Sequence, residues 1–441
     1  MTANNDWLQR SLAAVWHPCT QMKHHPTLPL VPIARAEGVW LEDFEGKRYL
    51  DAISSWWVNL FGHGNPRINA AVSKQLSQLE HVMLAGFTHQ PAIELAERLS
   101  AKTDGALGHA FFASDGASAT EIALKMSFHA WQNAGQTQKQ EFVCLEGSYH
   151  GETVGALSVT DIALFRDAYA PLIRNEHVHL APSPDARLAQ SGETAEDVAN
   201  RAADALEKLF VAREGKIAAV IIEPLVQCAT GMAMHHPRYL QRVRALCDQY
   251  QAHLICDEIA VGFGRTGSFF AHEQAGIRPD LLCLSKGITG GYLPLSVVLS
   301  RNSIYQAFWD DDVRRGFLHS HSYTGNPLAC SAALATLDIF DTDNILEKNR
   351  QLNKIMTDAL QPLAHHPAVR HFRNTGMIWA MDIDTALPDF SRRFFAAAMA
   401  RGILVRPIGT TVYVMPPYVL DAADAQLLAD QMLSALNATL A

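Results

Sequence analysis

The sequence predicts an α/β protein of two domains: a large one with a mostly parallel sheet flanked by helices, and a smaller α/β domain drawn from both termini. Three observations predict it. First, three short apolar runs share one design: 218–222 ends in Glu223-Pro224, 253–256 in Asp257-Glu258, and 281–284 in Ser285-Lys286. Each is too uniformly apolar for an edge strand, and each stops at polar or charged residues, as strands do in a parallel sheet whose chemistry lies at its carboxyl ends. Second, helical stretches such as 239–251 lie between these runs, giving the alternation that builds such a sheet. Third, 441 residues exceed what one hydrophobic core usually serves.

In chain order, the first sixty residues read as a short helix, a Pro-rich crossing at 24–32, and a hairpin. The hairpin pairs 39–41 with 49–51 around a turn at Glu45-Gly46. A strand at 110–112 leads to a helix over 119–131, in which Ala119, Ile122, Ala123, Met126 and Ala130 share one face. Another short strand follows at 142–145. From Pro327 the pattern gives helices over 328–340 and 344–363, then strands at 377–383 and 403–406. The expected division is 1–60 and 327–441 for the small domain and 61–326 for the large one.

Bulk composition narrows the function. Hydrophobic residues at 48% and charged residues at 18% suit a globular enzyme with much buried surface. A net charge of −9, with no Lys/Arg run, gives no reason to seek nucleic acid. Residues 1–18 lack the pattern of a secretory signal, and the uncharged stretch 319–337 contains Asn326, Pro327 and several serines, so no membrane partner is expected. Seven cysteines, an odd number without a CxxC pair, point to a reduced cytoplasmic protein with small buried thiols such as Cys256 and Cys283.

The chemistry centres on Lys286. It leaves an apolar strand and enters Gly287-Ile288-Thr289-Gly290-Gly291, a loop with room for a planar ligand close to backbone. A lysine at a strand end ordinarily keeps its ammonium in water. One flanked by buried strand and glycines is partly desolvated, which lowers its pKa and favours the neutral amine needed to form an imine. Asp257 ends a neighbouring run 29 residues earlier. A carboxylate there can pair with the protonated pyridine nitrogen of pyridoxal 5′-phosphate (PLP) and keep the ring an electron sink. Ser114-Asp115-Gly116-Ala117-Ser118 joins a strand to the amphipathic helix, so its amides could bind a phosphate dianion, although such a loop alone is also an ordinary helix cap. Tyr149, in Gly147-Ser148-Tyr149-His150-Gly151, could stack on a flat ring.

Other signals are weaker. Gly262-Phe263-Gly264-Arg265-Thr266-Gly267 fits the dinucleotide fingerprint, but it is separated from its strand, is followed by a Phe-rich segment, and lacks the acidic residue that closes such a unit. The histidine pairs His24/His25, His235/His236 and His365/His366 have no metal-ligand spacing, so no metal site is expected and the surface is their default place. His319-Ser320-His321-Ser322, just before Gly325-Asn326-Pro327, is polar enough to face a ligand.

In this order the pieces resemble the class III, or ω-, aminotransferases, a subgroup of fold-type I PLP enzymes, over essentially the whole chain. The most specific stretch is Ile222-Glu223-Pro224, then Cys256-Asp257-Glu258-Ile259-Ala260-Val261 with the glycine-rich 262–267, then Leu284-Ser285-Lys286-Gly287. The resemblance implies that Lys286 holds PLP as a Schiff base and that Asp257 pairs with its ring nitrogen. It also implies Ile259 on one face of the ring and Tyr149 on the other, Gly116, Ala117 and Ser118 at the phosphate, and Glu223 and His321 near the cofactor. Ser322, matching a family threonine, would reach the phosphate in the other subunit, which implies a homodimer with active sites at its interface.

Four local matches, at 15–18, 54–57, 81–83 with 88–89, and 405–407 leading to 413–418, point within the family to the branch that serves biotin synthesis. That implies Trp56 as an apolar wall of the substrate channel and Arg406 as the bidentate partner of a carboxylate. Trp57, Cys19, Ser320 and Tyr413 would join Tyr149 and Lys286 around the substrate. The implied reaction is a two-step amino transfer in which Lys286 moves the proton and S-adenosylmethionine, or in some members lysine, gives the amine. Beside it stands another ω-aminotransferase, acting on lysine, ornithine, 4-aminobutyrate or a simple amine with pyruvate. The chain departs from the pattern twice: Cys19 stands where an aromatic is common, and Ala117 replaces a frequent Ser or Thr in the phosphate loop.

Overall fold

The computed structural model describes residues 2–28 and 30–441; Pro29, within the Pro-rich crossing, lies outside the described residues, as does Met1. The chain divides into two compact units, Arg67–Leu346 and the paired segments Met1–Pro66 and Glu347–Ala441.

The large unit is built on a seven-stranded sheet in the order His109–Ala113, Ser296–Ser300, Leu281–Leu284, His253–Asp257, Ile217–Ile222, Glu141–Leu145, Val178–Ala181. Ser296–Ser300 is antiparallel to both its neighbours, and the other strands share one direction. The three apolar runs are the adjacent strands at the centre, buried along almost their whole length. Helix Gly116–Asn133 sets Ala119, Ile122, Ala123, Met126 and Ala130 into one core with Ile221, Ile255, Cys283 and Val298. Register then does the positioning. Cys256 lies opposite Ile222, and Asp257 opposite Cys283. Glu223, Asp257 and Lys286 therefore leave the same edge of the sheet.

The expected boundary at 326/327 falls instead at 346/347, and that at 60/61 falls at 66/67. The reason is helix Pro327–Asp343, which is buried on nearly every side and packs on helix Gln90–Ala101 and the turn Lys286–Thr289. Asn326 caps it, its Oδ1 accepting from the amides of Leu328 and Ala329. Gly-Asn-Pro thus marks a helix start and not a domain edge.

The smaller unit joins the two ends of the chain in one sheet, Ile33–Glu37, Trp40–Asp43, Arg48–Asp51 and Ile403–Leu404, the last strand parallel to its neighbour. The expected hairpin is present, with Trp40 opposite Leu50 and Leu41 opposite Tyr49. Its turn is pinned by Asp43, whose Oδ1 accepts from the amides of Glu45 and Lys47. A second, antiparallel sheet holds Val369–Thr375, Ile378–Ile383 and Thr411–Val414.

One short element is unusual. Ser54–Trp57 forms a helical turn of left-handed sense, with φ of 52°, 47°, 73° and 72° in succession. For L-residues that conformation costs about 1–2 kcal/mol each, because Cβ crowds the following carbonyl.

Among the described residues no helix is long and apolar enough to cross a membrane. The seven cysteines form no disulfide; Cys19 is exposed and the other six are buried.

Candidate active site

Lys286 follows strand Leu281–Leu284 after Ser285 and adopts a left-handed φ of 45° as it opens the turn Lys286–Thr289. The residue is half-buried. Desolvation pulls its ammonium pKa below the ordinary lysine value, opposed first by the Asp257 carboxylate and then by Cys228 and Glu223. The amine is thus surrounded by acidic groups yet poorly hydrated, a setting in which it gives up its proton more readily than in water.

Asp257 is 4% exposed, and both its oxygens are engaged. Oδ1 accepts from the Ile259 amide at 3.0 Å, and Oδ2 lies 2.7 Å from His150 Nδ1. This His150–Asp257 pair was not anticipated from the sequence. His150 sits in the glycine-flanked turn beside Tyr149, which was the one available signal. It is buried, its Nε2 has no hydrogen-bond partner, its amide donates to Thr160 Oγ1 and its carbonyl accepts from Thr120 Oγ1. Gly151 closes the turn at φ 119°, where a Cβ would stand 2.5 Å from Ala117 Cβ. Only a glycine lets the Tyr149 turn lie this close to the start of helix Gly116–Asn133.

Glu223 is the second buried carboxyl of the cluster. Oε1 accepts from the Tyr149 amide at 3.0 Å and Oε2 from the Cys228 amide at 3.1 Å. Burial pushes its pKa up to about 7, with Asp257 adding to the rise and His150 and the two amides opposing it. Glu223 therefore fixes the backbone that presents Tyr149, whose hydroxyl donates to Glu152 at 2.8 Å.

At the start of helix Gly116–Asn133, Asp115 caps the helix through the Ser118 amide and also accepts from the Ser118 hydroxyl, each at 2.9 Å. Ser118 thus turns back onto its own cap, and the amides of Gly116 and Ala117 are the first-turn donors that no intrahelical carbonyl can reach. A Cβ at Gly116 would stand 2.9 Å from Ile259 Cγ2, so the loop and Ile259 close on each other. His321 Nδ1 lies 3.3 Å from Ser114 Oγ, beside this loop, whereas Ser320 and Ser322 are exposed.

The substrate residues expected from the smaller unit form a group of their own. The Arg406 guanidinium lies 5.2 Å above the Trp56 ring and donates to the Cys19 carbonyl at 3.1 Å. Trp57 and Tyr413 are instead buried against each other, the indole N–H donating to the phenol oxygen at 3.1 Å.

Other expectations are corrected. His235 is no surface histidine: it is buried, its Nε2 is 3.3 Å from the Glu223 carbonyl, and burial lowers its pKa to about 4. The segment 262–267 is a run of turns with no helix opening on it, as its context implied. Glu258 secures the stretch beyond that run, accepting from the amides of Ala271 and His272. Among the described residues no group of three or more His, Cys, Asp or Glu side chains could hold a metal ion.

A strand-end lysine and aspartate on one sheet edge, beside a helix N-terminus, define the class of the protein. A model of the class-III aminotransferases matches residues 20–436, and the chain belongs to that family. It is 45% identical over 424 residues to a protein of Helicobacter pylori named adenosylmethionine-8-amino-7-oxononanoate aminotransferase, covering 93% of this chain and 94% of that one. A crystal structure bearing the same name, from Methanocaldococcus jannaschii, matches with a TM-score of 0.91 at 32% identity, covering 98% and 99% of the two chains. A PLP-bound amine transaminase from an uncultivated Pseudomonas species matches with a TM-score of 0.89 at 31% identity, covering 97% and 98%.

Enzymes of this family depend on PLP, and the residues present fit it. A partly dehydrated amine, a buried carboxylate fixed by two donors, and a helix start where Gly116 leaves no room for a Cβ are what an aldehyde, a pyridinium and a phosphate require.

Proposed function

We propose that the protein transfers an amino group to 8-amino-7-oxononanoate, giving 7,8-diaminononanoate for biotin synthesis, with S-adenosylmethionine as donor. The observation that carries this reading is the 45% identity, over nearly the full length of both chains, to the Helicobacter pylori protein of that name. PLP, when bound, supplies the electron sink for the pair released as the substrate carbon loses its proton. Every other part belongs to the chain. Lys286 Nζ would hold the cofactor and would move the proton to and from the substrate carbon, a task suited to an amine of lowered pKa. Asp257, held by His150 and the Ile259 amide, would keep the ring nitrogen protonated. Gly116 and Ala117 would bind the phosphate through backbone amides, with Ser118 and His321 beside them, and Tyr149 and Ile259 would flank the ring; Glu223 fixes the Tyr149 backbone. Within the smaller unit, Trp56 and Arg406, the latter hydrogen-bonded to the Cys19 carbonyl, are the groups suited to the acceptor's aliphatic chain and a carboxylate, whereas Trp57 and Tyr413 are buried against each other.

The working form is a cytoplasmic homodimer in which Ser322 reaches the partner's cofactor phosphate. Supporting this, Met83, Phe87, Leu318 and Tyr323 of the large unit are exposed, and His81 and Leu84 lie against Tyr323 and Gly325, which brings the segment carrying Met83 beside the loop that carries Ser322.

Purified enzyme is to be incubated with 8-amino-7-oxononanoate and, separately, S-adenosylmethionine, lysine, alanine or glutamate, and diaminononanoate measured by mass spectrometry. Product with S-adenosylmethionine supports the assignment. Reaction with alanine alone, and no diaminononanoate from any donor, refutes it in favour of an amine transaminase, the second reading that the Pseudomonas structure supports.

A further inference from the structure

Four consecutive non-glycine residues in left-handed conformation are not explained by their own chemistry. Nothing in Ser-Ser-Trp-Trp favours that hand, which single residues visit but runs avoid. The surrounding structure must hold it, and one side chain does most of the holding. Asp51, fully buried at the end of strand Arg48–Asp51, accepts from the Ser55 amide through Oδ1 at 2.9 Å and from the Ser55 hydroxyl through Oδ2 at 2.7 Å. His63 Nε2 lies 3.1 Å from the same Oδ2 and steadies the carboxylate from its other side. Ser54 ties the start of the turn to the Met415 carbonyl at 2.8 Å, and Trp57 ties its end to Tyr413.

The turn separates two adjacent tryptophans. Trp57 goes into the core at 5% exposure, and Trp56 stays out at 43%, under the Arg406 guanidinium.

We infer that Asp51 is a positioning residue for the amino acceptor: its buried carboxylate locks the left-handed turn Ser54–Trp57 and thereby fixes the indole of Trp56 as a rigid wall for the acceptor's chain. The inference rests on the reading that Trp56 meets the acceptor. A rigid wall needs no ordering when substrate arrives, so loosening it weakens acceptor binding and leaves the chemical groups intact.

The test uses the holoenzyme. Asp51→Ala and Asp51→Asn should each raise the acceptor KM about tenfold, the effect of one charge-assisted hydrogen bond, while kcat stays within about twofold. Ser55→Gly in the Asp51→Ala background should restore most of the KM, because glycine adopts positive φ without penalty and no longer needs the clamp. With 5-fluorotryptophan incorporated, the Trp56 fluorine resonance (assigned by its loss in Trp56→Phe) should shift or broaden in Asp51→Ala and return in the double variant. If Asp51→Ala does not fold, Asp51→Asn is read by the same criteria. Unchanged KM and an unchanged Trp56 resonance overturn the inference, and so does a loss that Ser55→Gly fails to rescue. An unchanged acceptor KM in Trp56→Ala also overturns it, through the reading on which it rests; the fluorine resonance distinguishes that failure from a failure of the clamp.

Discussion

Glu223→Gln exposes what a buried carboxyl costs this site. Burial raises the Glu223 pKa from 4.5 to about 7, so the folded protein holds this proton more tightly than the unfolded chain does. The stability it contributes is complete below about pH 4.5 and is lost as pH rises through about 7. The gap between those two values corresponds to about 3 kcal/mol. Glutamine cannot ionise, but both neighbours of this side chain are donors, the amides of Tyr149 and Cys228. The new amide nitrogen must face one of them, leaving a buried donor unmatched at a cost of about 1–3 kcal/mol at every pH. The variant should therefore be the less stable protein at pH 5. By pH 8 wild type has lost about 3 kcal/mol that the variant never had, and the two should be level or reversed. Urea unfolding of both cofactor-free proteins, at one protomer concentration and at each pH, reads the difference directly. A stability difference that is the same at pH 5 and pH 8 refutes the reasoning.

Three further outcomes concern the same site. Lys286→Ala should lose at least about 10²-fold in turnover, and borohydride treatment followed by mass spectrometry should fix cofactor to wild type and not to the variant. His150→Leu removes the donor on Asp257 Oδ2 and should weaken PLP binding about tenfold or more, measured by fluorescence titration; His150→Asn, whose amide can reach the same oxygen, should recover part of it. Gly116→Ala drives a methyl against Ile259 and should lower stability by about 1–3 kcal/mol in thermal unfolding, with Ile259→Ala relieving most of the loss.

The parts of this site that arise from chain-local patterns were legible in the sequence. Glu223, Asp257 and Lys286 each end a uniformly apolar run, and parallel strands deliver such ends to one edge. The helix start proposed for the phosphate was marked by a glycine at the start of an amphipathic helix. His150 was not legible, because its pairing with Asp257 spans 107 residues and depends on which strands lie near one another. The antiparallel strand Ser296–Ser300 was missed because a short Val/Leu run after a glycine-rich loop does not declare its direction. His235 was misplaced because a paired histidine in a loop carries no local mark of the carbonyl it will meet. The left-handed turn lies furthest from local rules: its residues take that hand only because Asp51, Met415 and Tyr413 surround them.

The pairing of Ile403–Leu404 with Arg48–Asp51 also constrains how the chain comes to be folded. During synthesis the segment Ile33–Asp51 must wait, without its fourth strand, until Ile403–Leu404 has left the ribosome, whereas Arg67–Leu346 can close on itself before that. A nascent chain stalled far enough beyond Leu346 for helix Pro327–Asp343 to have left the ribosome, but before Ile403–Leu404 has, should already protect the large unit from protease while its leading segment is still cut.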